Sequence, residues 1–171
     1  DHGNALYEHQ VHVPLVIRFP ARVPAGRVVS TPVTTLDVFS TLLDLVAVPA
    51  PPAIQSQSLL PLLSGGASAD DRTLVAELRR SENWSTLSRV FDRELLALRR
   101  GPWKYIVSST GSTELYHIPE DPAEGDNRVQ REPEVARSLH REALRWMRRA
   151  GSGQQRSIDQ ATREQLKSLG Y

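Results

Sequence analysis

Cysteine is absent from this sequence of 171 residues. Disulfide bonds and zinc sites built on thiolates are therefore excluded. An excess of one charge is also missing, because 21 Lys and Arg nearly cancel 20 Asp and Glu. This balance predicts no attraction to nucleic acid or to an anionic membrane. No apolar segment approaches the roughly 20 residues that span a bilayer, and neither an initiator Met nor a signal peptide is visible at the start.

The sequence opens with a polar stretch rich in histidine, followed by an apolar run. Leu15, Val16 and Ile17, bounded by Pro14 and Pro20, have the composition of a buried strand. The run is continuous rather than alternating, so we expect burial on both faces, as in a parallel sheet covered by helices. In such α/β folds, chemistry collects in the loops at strand ends. The opening loop is therefore a candidate functional segment, although no upstream strand is present to pair with the run.

One amphipathic helix is predicted next. Thr35 is a suitable N-cap, and the helix should run to about Val46 before a group of prolines ends it. Its apolar residues recur at helical spacing and predict one buried face, formed by Leu36, Phe39, Leu42, Leu43 and Val46. A short apolar turn over 58–63 and a flexible glycine-rich loop over 65–71 follow.

The second half of the sequence predicts a small α+β unit. Four strands are expected over 73–78, 95–99, 103–107 and 113–118, and their short connections favour an antiparallel meander. Pro133 is typical of a helix start and opens a helix to about residue 149. Its sheet-facing residues are predicted to be Leu139, Leu144, Trp146 and Met147, which makes the arginine-rich helix an ordinary amphipathic one. A last short helix is expected over 157–169.

The opening segment holds the candidate chemical residues. His2, His9 and His12 are close enough in sequence to suggest a zinc site, but only Glu8 could add a carboxylate. Histidines at a strand entry more often bond to backbone, and this is the interpretation that we favour. A Tyr-Glu pair such as Tyr7-Glu8 commonly ties a loop to backbone amides or to an arginine. We expect that structural role for Glu8.

Several segments, in order along the chain, resemble sulfatases of the alkaline phosphatase superfamily. His2-Gly3, Tyr7-Glu8 and the stretch 11–17 are similar to the family pattern HG-x-x-x-YE…VP-L-I. Further similarities extend over nearly the whole chain, at 34–45, 58–65, 98–106, 114–118, Asp121-Pro122, Asn127 and 166–171. The last of these is an ending seen in bacterial members.

The resemblance implies a fold and a division of the chain. Residues 1–70 would be the end of an alkaline-phosphatase-like α/β sandwich, the C-terminal end of the catalytic domain. Residues 71–150 would be a small four-stranded antiparallel sheet packed on a C-terminal helix, and 151–171 a linker with a short terminal helix. The family's nucleophile, a Cys or Ser in C/S-x-P-S-R that becomes formylglycine, is not in this sequence. We therefore interpret the chain as a C-terminal portion without the N-terminal catalytic half.

The resemblance also implies roles for individual residues. Asp1-His2-Gly3 could match the family's metal motif, but only ten residues separate His2 from Val13, and this spacing favours a second, sulfate-contacting motif. His2 would then be the catalytic residue that donates to a sulfate oxygen or protonates the leaving oxygen as a general acid. No metal ligand is assigned in this chain. Calcium would belong to the full-length parent, and this fragment alone would bind none.

The basic residues of the predicted hairpin allow two interpretations. Arg99, Arg100 and Lys104 would make an ordinary solvated hairpin. In the resembling family this region can instead border the substrate cleft, which would make Arg100 and Lys104 contacts for a sulfate ester of aryl or carbohydrate type. Trp103 is a core residue in the first interpretation and a sugar platform in the second.

The sequence thus predicts part of a sulfuric ester hydrolase, periplasmic or secreted if the family pattern holds. A phosphoester or phosphonate hydrolase of the same superfamily is the first alternative, because one pocket can hold either tetrahedral anion. A non-catalytic binding module is the second, since the nucleophile is missing.

Overall fold

The computed structural model describes residues 4–52, 54–66, 72–79 and 92–151. Within them lie four helices, α1 (Glu8–Val11), α2 (Leu36–Leu45), α3 (Leu60–Leu63) and α4 (Pro133–Gly151). Four strands lie between α3 and α4, namely β1 (Leu74–Leu78), β2 (Leu95–Arg100), β3 (Trp103–Ser108) and β4 (Thr113–His117). None of the described helices is long and apolar enough to cross a membrane. The helix predicted over 157–169 lies outside the described residues.

The strands form the predicted antiparallel meander, in the order β1-β2-β3-β4. Arg100 pairs with Trp103, so the β2–β3 turn contains only Gly101 and Pro102. Gly101 has φ +54°, and proline cannot adopt a positive φ. The turn is therefore of the II′ kind, whose twist matches that of the flanking strands. This local chemistry explains why the hairpin could be predicted from the sequence.

One face of the sheet packs on α4. Side chains alternate between faces along a strand, and the helix-facing set is Leu96, Leu98, Tyr105, Val107 and Leu115. Ala136, Leu139 and Ala143 are buried against it at helical spacing, with Trp146 packed at the edge of this core. Leu139 and Trp146 thus occupy the predicted positions. Leu144 and Met147 do not, because the small alanines let the helix lie close and leave those two side chains largely exposed.

The strand predicted at Leu15–Ile17 is not formed among the described residues, and the run is unpaired, as expected without an upstream partner strand. The stretch forms no ladder with any described strand, and Val16 is 89% exposed. A strand pairs its backbone groups with a neighbour, and the described residues offer none at this position. Ile17 and Phe19 pack instead on a small core of Val23, Leu45 and Leu60.

The buried face predicted for α2 is wrong. Leu36, Phe39, Leu42 and Val46 are exposed, whereas the side chains that face the described protein are Asp37, Ser40, Thr41 and Leu45. The helix itself is confirmed, but its cap differs. Thr35 makes no side-chain cap, and the Leu36 N–H donates to Thr34 Oγ1 over 3.1 Å while the Thr34 N–H donates to Asp37 Oδ2 over 2.9 Å. This reciprocal pair is a capping box.

Asp37 ties α2 to the start of the sheet. Its side chain is 1% exposed and is paired with the guanidinium of Arg72, two residues before β1. It also accepts the Gln57 N–H over 3.0 Å. Burial acts to raise the pKa of Asp37, but the hydrogen bonds from Arg72, Gln57 and Thr34 outweigh it and hold the pKa below its usual value. The buried carboxylate is therefore ionised and fully bonded.

Candidate functional site

The opening segment, residues 4–11, lies on the second face of the sheet. Leu6 is buried there among Leu95, Ala97, Ile106, Tyr116 and Ile118. Side chains on this face alternate along each strand with those on the face that α4 covers. The meander is therefore enclosed on one side by the helix that follows it and on the other by the distant opening segment. The predicted functional segment is thus docked on the small α+β unit.

Two tyrosines and a glutamate fix the middle of the segment. The hydroxyl of Tyr7 donates to Glu114 Oε2 over 2.9 Å, and the hydroxyl of Tyr116 donates to the same oxygen over 2.8 Å. Burial raises the pKa of both tyrosines, and the accepting carboxylate of Glu114 raises it further. Both phenols therefore remain protonated and donate to Glu114 at neutral pH.

Four charged residues, which we call the Glu8 cluster, hold the next part of the segment. Glu8 accepts from Arg99 Nη1 over 3.0 Å and from Lys104 Nζ over 2.9 Å. Lys104 Nζ also lies 2.9 Å from Glu124 Oε1, where it makes an ion contact rather than a directed hydrogen bond. The side chains of Lys104 and Glu124 are each only 2% exposed. The Glu8 N–H donates to the other oxygen of Glu124, so both ends of Glu8 are bound.

The loop after β4 brings Glu124 to this cluster. Asp121 accepts the N–H groups of Gly125 and Asp126 over 3.1 and 2.8 Å. Asn127 Oδ1 accepts those of Leu115 and Val129. Glu124 itself has φ +54°, a region that side chains other than glycine occupy uncommonly. The surrounding bonds thus fix an unfavourable backbone conformation that directs the Glu124 carboxylate at Lys104.

The structure brings only some of the predicted site residues together. His2 lies outside the described residues. Lys104 is central to the Glu8 cluster, whereas Arg100 lies on the opposite face, donating to Glu142 and Ser138 of α4. The expected tie between Glu8 and an arginine is confirmed. The solvated hairpin is wrong for Lys104, which is buried because Glu8 and Glu124 supply its counter-charges.

The remaining candidates have structural surroundings. His9 stacks on Tyr7 with ring centroids 5.9 Å apart, and His12 is exposed. Trp103 packs against the helix-side core, as predicted, with its ring edge-on to His117. Among the described residues, no group of three or more His, Cys, Asp and Glu side chains is placed to hold a metal ion.

An apolar groove of about 750 Å³ lies in the first part of the chain, outside the docked segment. The residues that line it fall within 15–33 and 59–63, and the charged ones that line it are Arg18 and Arg27. With no carboxylate or histidine in its lining, the groove offers no general acid or base. The docked segment and the Glu8 cluster are the better candidate site.

Two residues were missed by the sequence interpretation, Glu124 of the Glu8 cluster and Asp37 of α2. Glu124 belongs to the same Asp-Pro loop that carries the family resemblance, but nothing local indicates that it meets Glu8, 116 residues away. Asp37 could have been found, because Thr34 and Asp37 have the spacing of a capping box before an apolar helix.

The described part of the chain is a four-stranded meander with a C-terminal helix and a docked opening segment. Comparison with known proteins identifies the chain as the C-terminal portion of a sulfatase. The family model described as "N-sulphoglucosamine sulphohydrolase, C-terminal" matches residues 3–149. The chain belongs to this family. Its fold is α+β within the described residues, and the solved structures that it resembles include sulfatases and phosphonate monoester hydrolases.

Curated relatives agree with this assignment. Arylsulfatase K of Mus musculus is 32% identical over 147 residues, a match that covers 79% of this chain and 25% of the relative. Arylsulfatase K of Homo sapiens is 31% identical over 146 residues, with the same coverage. The chain thus spans about a quarter of the length of these relatives.

Solved structures show the same fold. The phosphonate monoester hydrolase SpPMH from Silicibacter pomeroyi has a TM-score of 0.64 and 25% identity, and the match covers 86% of this chain and 31% of that protein. BT4656, solved with its substrate D-glucosamine-2-N,6-O-disulfate, has a TM-score of 0.62 and 23% identity, covering 76% of this chain and 27% of that one.

Proposed function

We propose that this chain is the C-terminal part of a sulfuric ester hydrolase that acts on sulfate monoesters of aryl or carbohydrate type. The match of a sulfatase family model to residues 3–149 carries the proposal. In such an enzyme, a formylglycine from another part of the protein would supply the hydroxyl that attacks sulfur. The role of the present chain is to contribute His2 to the sulfate site and to hold the segment that carries it.

The described residues do not fit a calcium site. Calcium takes six to eight oxygen ligands, whereas no described group of acidic side chains is placed to supply them. The most deeply buried carboxylate among the described residues, that of Asp37, is already paired with the guanidinium of Arg72. Calcium in the complete enzyme would therefore be held by other residues.

His2 is the residue proposed to act on the substrate. An imidazolium donates to an anionic oxygen, so it would stabilise the charge that builds on the leaving oxygen as the sulfate ester bond breaks. A general acid at the same position would transfer its proton there instead. Arg100 and Lys104 were predicted to contact the substrate, but their bonds to Glu142, Glu8 and Glu124 favour structural roles.

A phosphonate or phosphate monoester hydrolase is the second candidate. The structural similarity to a phosphonate monoester hydrolase, over 86% of the chain, favours it. Sulfate and phosphonate esters are both tetrahedral anions, and the described residues contain nothing that would distinguish them.

The test compares the chain with a longer protein. Residues 1–171 alone should not hydrolyse 4-nitrophenyl sulfate with calcium supplied, because a catalytic unit that lacks its nucleophile and metal retains little activity. A protein that includes the upstream coding sequence should hydrolyse it, and the His2→Ala variant should lose about 100-fold or more in kcat.

Three outcomes would contradict parts of this proposal. Turnover by residues 1–171 above that of their own His2→Ala variant would place the catalytic groups within this chain. Faster hydrolysis of 4-nitrophenyl phenylphosphonate than of the sulfate would favour the second candidate. An inactive longer protein that still binds a sulfated sugar would indicate a binding module.

A further inference from the structure

The Glu8 cluster joins parts of the chain that are far apart in sequence. Glu8 meets Arg99 and Lys104 across 91 and 96 residues, and its N–H meets Glu124 across 116. Contacts at such separations form only when the tertiary structure closes long loops. The cluster therefore exists only when the opening segment is docked on the sheet, and it stabilises that docked state.

Lys104 is the shared member of this cluster. It lies 2.9 Å from one carboxylate on the segment and 2.9 Å from another on the loop after β4. A buried charge that loses its partner is strongly disfavoured. If the segment opened, Glu8 would leave Lys104 with a single carboxylate and Arg99 without one, so the cluster resists opening.

Chain connectivity carries this restraint toward His2. Only three residues separate His2 from the buried Leu6, and the four residue-to-residue steps between them reach about 14 Å in a fully extended chain. Leu6, Tyr7 and Glu8 therefore fix the point from which the chain runs back toward His2. A misplacement of about 1 Å in a catalytic group can cost about 100-fold in rate.

We infer that Lys104 is a positioning residue, which holds the opening segment so that His2 meets the sulfate ester. The inference rests on the role proposed above for His2. This positioning role replaces the direct substrate contact predicted for Lys104, since the Lys104 ammonium group already contacts the carboxylates of Glu8 and Glu124.

The first test needs no activity. Hydrogen exchange of residues 1–171 is compared for the parent chain, Lys104→Met and Arg100→Met. Arg100 is a matched control, because it lies on the same hairpin and is paired with a carboxylate, that of Glu142, but its side chain lies on the opposite face of the sheet from the segment. Lys104→Met should speed exchange in residues 4–11 about tenfold or more with little change in β2 and β3, and Arg100→Met should leave the segment unchanged.

The second test uses the longer, active protein and varies the leaving group. If His2 stabilises charge on the leaving oxygen, its loss is felt most by poor leaving groups. Lys104→Met should therefore lower kcat more for an alkyl sulfate than for 4-nitrophenyl sulfate, and His2→Ala should show the same trend. A general loss of folded enzyme would lower both rates equally.

Glu8→Gln keeps the proposal testable if Lys104→Met does not fold. Its amide preserves size and a hydrogen bond while removing the charge on the segment, and it should show the same two effects more weakly. Unchanged exchange in residues 4–11, or equal losses for both substrates, would overturn the inference. An inactive parent enzyme would instead count against the proposed function, since the exchange result would still stand.

Discussion

Asp37 shows how a single buried charge can decide the stability of one half of the chain. Its carboxylate accepts from two backbone N–H groups and is paired with Arg72. Asp37→Asn should lower the free energy of unfolding by about 3 kcal/mol, because Arg72 loses its counter-charge and an amide cannot accept all four bonds. Urea denaturation measures this. Asp44→Asn is the control, since Asp44 is half exposed and should cost about 1 kcal/mol or less.

The pH dependence of this effect has a definite sign. The pKa of Asp37 is lower in the folded protein than its ordinary value of 3.8, so the unfolded chain binds the proton more readily. The stabilisation is complete above about pH 5 and is lost as the pH falls below 4 through the folded pKa. The stability difference between the parent and Asp37→Asn should shrink over that range. A difference that stays constant down to pH 2 would contradict the assigned ionisation.

At the scale of elements, the two faces of α2 should contribute very differently to the free energy of unfolding. Leu42 is exposed, whereas Leu45 is buried with Val23 and Leu60. Leu45→Ala should therefore cost about 2–3 kcal/mol in unfolding free energy. Leu42→Lys should change it by less than about 0.5 kcal/mol and should raise the concentration at which residues 1–171 aggregate. A larger loss from Leu42→Lys would show that this face is covered in solution.

The elements of the chain differ in how well the sequence alone predicts them. The four strands and α4 could be predicted because short strand-forming runs with short connections, the Gly101-Pro102 turn and Pro133 are local signals. The buried face of α2 and the strand at Leu15–Ile17 could not, since apolar composition indicates a tendency to be buried but does not supply the partner. Glu124 was missed for a related reason. Its contact with Lys104 depends on a left-handed backbone residue and on a loop that no local pattern predicts.

For the molecule as a whole, the two halves should differ in stability. The helix-side core of the sheet combines eight buried residues with Trp103 and Trp146, whereas the core around α2 and α3 has three. Hydrogen exchange at increasing urea should therefore show β2, β3 and α4 protected after α2 has exchanged. The segment 4–11 should exchange with the sheet rather than with α2, because it is buried against β2 and β3. A single cooperative loss of all protection would contradict this division.

The two parts of the chain that cover the sheet, residues 4–11 and α4, are also synthesised at different times. The segment at residue 8 leaves the ribosome long before Glu124, 116 residues later, which at 5–20 residues per second is an interval of roughly 6 to 23 s. The segment 4–11, which covers one face, is thus already synthesised when β2 and β3 appear, whereas α4, which covers the other face, is synthesised after all four strands. The side of the sheet that will face α4 is therefore the one exposed to wrong partners in a growing chain. Translation pauses or chaperone contacts late in synthesis would act on that side.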